Sequence, residues 1–247
     1  MLRKKTFKQG ATLPHIKNTA QDQTILMPAP KTIVVPMLQH IGAPCEPTVN
    51  KGDHVKVGQV IGDTDKYVSA PIHSGVSGKV VKMDIILTYA GNNVPVMIIE
   101  SDGENEVYEG VRPPKIGNLD EFVKAIRASG LVGLGGAGFP THVKLNLPNE
   151  ANIDTLIVNA VECEPYITSD NREALEHTRH VVRGMQIIGE YLKIPNIIIG
   201  VEDNKPESIE ILSQAVKGTK IKVQPLITRY PQGAEKMLIS ALTGRKV

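Results

Sequence analysis

Tryptophan is missing from this chain and rings are scarce: three Phe and six Tyr make up 4% of the residues. A flat ligand has few aromatic partners to choose from. Phe139, Tyr166 and Tyr230 are the ones that stand in loops beside regular segments. Cysteine is as rare. Cys45 and Cys163 are the only two, without Cys-x-x-Cys spacing, so a disulfide framework is excluded. An iron–sulfur cluster held by this chain alone is excluded too, because clusters need more thiolates. No run approaches the ~18 apolar residues of a membrane span. The basic start Arg3-Lys4-Lys5 is followed by polar Gln9, His15, Lys17 and Asn18, which is not a signal peptide. The chain therefore reads as soluble and cytoplasmic. Charge of one sign is lacking as well: the formal net charge is +2 and no Lys/Arg stripe extends past residue 5. No nucleic-acid partner is expected. The basic start reads as a solvated tail, with attraction to a membrane surface as the alternative.

What is present suits a globular protein. The 247 residues are 41% hydrophobic and 22% charged, enough for one large or two smaller domains. Residues 1–30 carry prolines and little periodicity and read as an extended arm. Residues 31–100 read as all-β, with β-rich runs at 32–38, 54–57, 78–83 and 94–100 separated by Gly, Pro and Asp. Residues 101–117 hold Asp102-Gly103 and Pro113-Pro114 and read as a linker. From 118 to 247 the pattern is strand–helix alternation. Asn118 and Glu121 form a capping box, and Gly130 ends that helix. Strands are expected at 155–160, 197–201 and 220–227. Helices are expected at 171–192, 206–217 and 233–242. That order predicts an α/β domain with a parallel sheet and helices on both faces, with ligands at the carboxyl ends of the strands.

Gly133, Gly135 and Gly138 fit G-x-G-x-x-G, and Gly136 adds a fourth glycine. The dinucleotide fingerprint should follow a strand, whereas this loop follows a helix, so an ordinary Rossmann assignment does not apply. The physical content stands. Glycines let the backbone approach a ligand and point N–H groups at anionic oxygens. Pro140 suits the start of a short helix, and Lys144, one turn on, can neutralise a phosphate. A flexible connection is the alternative. The run Asn159-Ala160-Val161-Glu162-Cys163-Glu164-Pro165-Tyr166 leaves the 155–160 strand at its carboxyl end. Asn159 offers a donor and an acceptor. Glu162 and Glu164 are either acceptors for ribose hydroxyls or solvated loop charges. Cys163 reads as a small buried cysteine ahead of a reactive thiol. Arg229–Lys236 opens the last helix on the same edge, where Glu235 faces a ligand or complements the helix end.

Together GLGGAGFPTHVK, NAVECEPY and YPQGAEK resemble, in sequence and order, the RnfC family of the Rnf electron transport complex. More distantly they are similar to the flavin-carrying, NADH-oxidising subunit of respiratory complex I. The resemblance covers nearly the whole chain, including the arm around residues 10–17. It implies a Rossmann-like FMN/NADH-binding domain, with NADH as substrate and the flavin passing electrons to iron–sulfur centres. It also implies other Rnf proteins as partners and a peripheral place on the cytoplasmic side of the bacterial membrane. Gly133, Gly135, Lys144, Asn159 and Glu162 match flavin-binding positions. Phe139, Glu164 and Glu235 match NADH-side positions, with Phe139 the adenine-stacking ring. The complex I family carries Asp where Val161 stands and Glu where Ala234 stands. The RnfC family continues into a part that ligates two 4Fe–4S clusters. Those motifs are not in this sequence, which reads as a partial chain.

Gly52–Ile61, Pro71 and Gly75–Val80 look like a lipoyl/biotinyl-type barrel-sandwich hybrid. Asp65-Lys66 resembles the lysine hairpin of carrier domains. The stretch from Lys66 to Pro71 is shorter than in lipoyl carriers, so the barrel reads as a docking module. Two other readings stay open: a non-catalytic docking fragment, and a related cobalamin-reducing flavoprotein. The barrel's place ahead of the glycine loop favours the Rnf reading.

Overall fold

The computed structural model describes residues 4–8, 10–88, 91–134, 136–148 and 151–246. The chain forms two compact units. One is the continuous stretch Leu26–Ala151; the other joins the segment ending at Ile25 to the segment beginning at Asn152.

In the continuous unit the strands are β1 (Thr32–Pro36), β2 (Glu46–Pro47), β3 (His54–Val55), β4 (Val60–Asp63), β5 (Ile72–His73), β6 (Gly78–Leu87) and β7 (Asn93–Ser101). They make two antiparallel sheets, β1-β7-β6-β3 and β2-β4-β5. The register runs Thr32↔Glu100 and Gly78↔Ser101, with a shift between Val80 and Lys82. Met37, Val55, Ile61, Val80, Met97 and Ile99 point inward and are almost fully buried. This is the barrel-sandwich hybrid read from the sequence.

Helices α1 (Leu119–Ala128) and α2 (Thr141–Leu145) belong to this unit, although the sequence pattern groups them with the α/β domain. The physical reason lies in their contacts. Arg127 donates to the Asp63 carboxylate at 2.8 Å and to the Thr64 carbonyl at 2.6 Å. His142 Nε2 lies 3.1 Å from the Tyr67 carbonyl. The cap of α1 follows the sequence: Asn118 accepts from Glu121 N–H at 2.9 Å. Glu121 reaches back to Gly117 N–H at 2.6 Å, one residue before the donor of a standard capping box.

The second unit holds β8 (Thr155–Ala160), β9 (Asn196–Glu202) and β10 (Ile221–Leu226) in the parallel order β10-β9-β8. Side chains alternate between faces with period two. Leu156, Val158, Ile197, Ile199 and Val201 pack with α3 (Ser169–Glu176), α4 (Thr178–Tyr191) and α5 (Pro206–Ala215). Ile157 and Ile198 pack with Leu238 and Leu242 of α6 (Glu235–Thr243). Both faces of the sheet are therefore covered. The single helix expected at 171–192 is two. His177 leaves helical geometry (φ −123°, ψ 27°), and the Thr178 hydroxyl donates to the Ala174 carbonyl at 2.6 Å, a side-chain competition that bends helices.

The N-terminal segment is extended, as its composition indicates, but it is bound along this unit. Lys5 N–H donates to Pro225 O at 3.2 Å and Ile227 N–H returns to Lys5 O at 2.8 Å. Ala11 and Tyr230 exchange two bonds of 2.8 Å, and Phe7 is buried. The arm lies against the edge strand β10, where Pro225 is tolerated because an edge needs no further donor.

Candidate functional site

The glycine loop is a closed bend between α1 and α2. Thr141 N–H donates to Leu131 O at 3.0 Å and Gly133 N–H to Phe139 O at 2.9 Å. Between those bonds the chain bulges outward. Leu134 is 92% exposed, and a Cβ on Gly136 would meet nothing. Gly138 has φ +65°, and a Cβ there would lie 3.0 Å from Gln39 O and 3.1 Å from His40 Cα. That residue must be glycine both for its conformation and for its space. Gly135 lies outside the described residues. The N–H groups of Leu134, Gly136, Ala137 and Gly138 have no acceptor among the described residues. Lys144, exposed on α2, brings Nζ within 4.0 Å of where a Gly133 Cβ would stand. Free backbone donors beside one ammonium make a donor set that fits a phosphate. Phe139 is half-buried at the closing bond of the bend.

In the other unit the carboxyl ends of β8 and β10 are brought together. Asn159 donates from Nδ2 to Gly233 O at 2.8 Å and accepts from Val161 N–H at 3.1 Å. A Cβ on Gly233 would lie 2.6 Å from Val161 O, so only glycine permits this approach. Val161 is itself buried with Cys163, Leu226 and Leu238, an apolar site with no room for a solvated carboxylate. Cys163 is buried as expected, and burial pushes its thiol pKa up.

Glu162 is not a loop charge. It is 2% exposed. Its Oε1 accepts from Asp170 N–H at 2.8 Å, at the start of α3, and Oε2 lies 3.5 Å from Lys17 Nζ. Burial outweighs these partners and raises its pKa above the ordinary carboxylate value. Lys17 also donates to the carbonyls of Glu162 at 2.9 Å, Glu164 at 2.8 Å and Ile167, which ties the arm to the loop after β8. Glu164 and Glu235 are exposed, the latter as the first residue of α6.

Sequence reasoning passed over the loop after β9. There Lys205 Nζ, 7% exposed, pairs with the fully buried Glu202 at 2.9 Å and lies 3.4 Å from Glu162 O. The same rule that singled out the ends of β8 and β10 points to this loop. A cavity of about 280 Å³ opens beside it, lined by Lys17, Glu162, Thr168, Asn171, Asn204 and Lys205. Gln232, fully buried, accepts from Thr6 Oγ1 at 3.1 Å, and its Nε2 has no partner among the described residues. Among the described residues no His/Cys/Asp/Glu group is arranged to hold a metal, and no helix is long and apolar enough to cross a membrane.

Comparison with known proteins follows the same division. A family model described as the RnfC barrel sandwich hybrid domain matches residues 5–104, and one described as the Nuo51 FMN-binding domain matches residues 126–247. The RnfC-type component of the proton-translocating ferredoxin:NAD+ oxidoreductase complex of Clostridium ljungdahlii is 46% identical over 98% of this chain and 54% of its own length. Its counterpart in the Na+-translocating complex of Acetobacterium woodii is 41% identical over 98% of this chain and 56% of its length. The chain thus spans about half the length of the curated relatives it matches. An NAD+-reducing NiFe hydrogenase structure aligns over 52% of this chain and 24% of its own, with 25% identity and a TM-score of 0.46.

Proposed function

The chain belongs to the RnfC family, and on that premise we propose that it is the flavin-bearing electron-input module of an ion-translocating ferredoxin:NAD+ oxidoreductase complex. One observation carries the reading: the bend at residues 133–139 presents backbone donors beside Lys144, within the stretch that matches an FMN-binding domain. In this reading Gly133, Gly135, Gly136, Gly138 and Lys144 hold the phosphate of FMN. A bound flavin supplies the exchange between hydride transfer and single-electron transfer.

The protein's own residues bind and orient. Asn159 and Glu162 act mainly as braces, because both side chains are committed within the protein. Asn159 fixes the loop of Gly233, and Glu162 holds the start of α3. Exposed Glu164 and Glu235 remain free to accept from the hydroxyls of NADH, and Phe139 is the ring assigned to its adenine. Hydride transfer asks for no side-chain general base, and none is assigned. The partners are other members of the complex at the cytoplasmic face of the membrane, together with iron–sulfur centres beyond the residues present.

The test is reconstitution with FMN followed by anaerobic titration with NADH. Retained flavin whose visible absorbance bleaches stoichiometrically supports the reading. Failure to retain FMN refutes it for this chain and leaves a docking module built on the barrel.

A further inference from the structure

His40 sits in the turn after β1, on the barrel side of the glycine loop, and is 7% exposed. Its Nε2 is 3.1 Å from Ala70 N–H and 3.3 Å from Ser69 Oγ. A backbone N–H can only donate, so Nε2 is the acceptor and the ring proton is on Nδ1. That nitrogen is 3.1 Å from Ile41 O. The N–H of Ile41 in turn donates to Ala137 O of the glycine loop at 3.2 Å. The backbone of Gln39 and His40 is also the surface against which Gly138 packs. A continuous chain of bonds therefore runs from the floor of the barrel, through one imidazole, to the loop between Gly133 and Phe139.

The geometry points to His40 as a positioning residue for the anion-binding loop: it pins the Gln39–Ile41 turn that fixes Ala137 and Gly138, and through them the loop donors aimed at the ligand phosphate. The inference rests on the reading of that loop as the FMN phosphate site. It gives the barrel a part in ligand binding that its resemblance to carrier domains does not suggest. Neither Cys45, 4.0 Å from Nε2, nor Ser69 can replace the ring, because neither reaches Ile41 O.

The test compares FMN with riboflavin, which has the same ring system and no phosphate, on the full chain and on three variants. His40→Leu breaks both links. His40→Asn keeps a donor toward Ile41 O, and His40→Gln keeps an acceptor toward Ala70 N–H. Removing the alignment of a charge-assisted bond set weakens FMN binding by about tenfold or more in His40→Leu. Riboflavin binding stays within about twofold, because no phosphate bond is at stake. The Asn and Gln variants fall between. Circular dichroism verifies that each variant is folded.

An equal loss for both flavins, or no loss for either, overturns the inference. So does unfolding of all three variants, since the ring would then be holding the barrel and not the loop. If the unaltered chain shows no preference for FMN over riboflavin, the phosphate reading of the loop fails first and takes this inference with it.

Discussion

Replacing Lys205 by Met tests whether the buried pair beneath the β9 loop holds the α/β unit together. Two unit charges 2.9 Å apart attract by about 6 kcal/mol at an effective dielectric near 20. Taking both out of water offsets most of that gain, so the pair itself adds little net stability. Breaking it is different. Glu202 is fully buried, and Oε1 already has no partner among the described residues. Without Lys205 the carboxylate is left buried and uncompensated, a loss of about 3–5 kcal/mol. The double variant Lys205→Met/Glu202→Leu removes the stranded charge and returns to within about 1 kcal/mol of the parent. Tryptophan fluorescence is not an option in this chain, so the assay is amide hydrogen exchange on the peptide covering β9, read against urea. A single-variant loss below about 1 kcal/mol, or a double variant as weak as the single one, would refute the account.

Two further outcomes follow from the same geometry. Gly138→Ala forces a side chain into left-handed geometry against Gln39 O, which lowers stability by about 1–2 kcal/mol; a thermal midpoint equal to or above the parent's in calorimetry contradicts this. Glu162 titrates above its ordinary value of 4.5 because it is buried, so the folded state binds its proton more tightly than the unfolded one. Stability linked to this group is therefore full below pH 4.5 and is lost as pH rises through the folded pKa. Glu162→Gln escapes that loss, and its urea midpoint gains on the parent's between pH 4.5 and neutrality; a difference that is flat or moves the other way removes the argument.

The layered order of the α/β unit was legible because Ile157, Ile198 and their neighbours alternate in runs long enough to read. Strands β2 and β5 were not, because two residues show no period. The break at His177 was hidden because the apolar positions continue across it, and only the Thr178 hydroxyl signals the bend. At the site, the glycine loop announced itself by composition, since four glycines at that spacing have few uses besides close backbone approach. Glu162 was visible as a residue but not as a brace, because a carboxylate after a strand looks the same whether it faces water or Lys17. Lys205 and Glu202 escaped notice for a related reason: paired burial of opposite charges leaves no mark on local hydropathy. The arm's bonds to Pro225 and Tyr230 are invisible to any local reading, since the partners lie at opposite ends of the sequence.

That separation has a bearing on synthesis. The stretch Leu26–Ala151 is inserted between two pieces of one unit. At about 5–20 residues per second, the ribosome takes on the order of ten to forty seconds to travel from Lys5 to its partner at Pro225. During that interval the inserted unit can complete its own fold, while Phe7 stays without the surface that later buries it. The last strand to emerge, β10, meets a segment that has been waiting since the start, and the arm seals its edge as that strand is laid down.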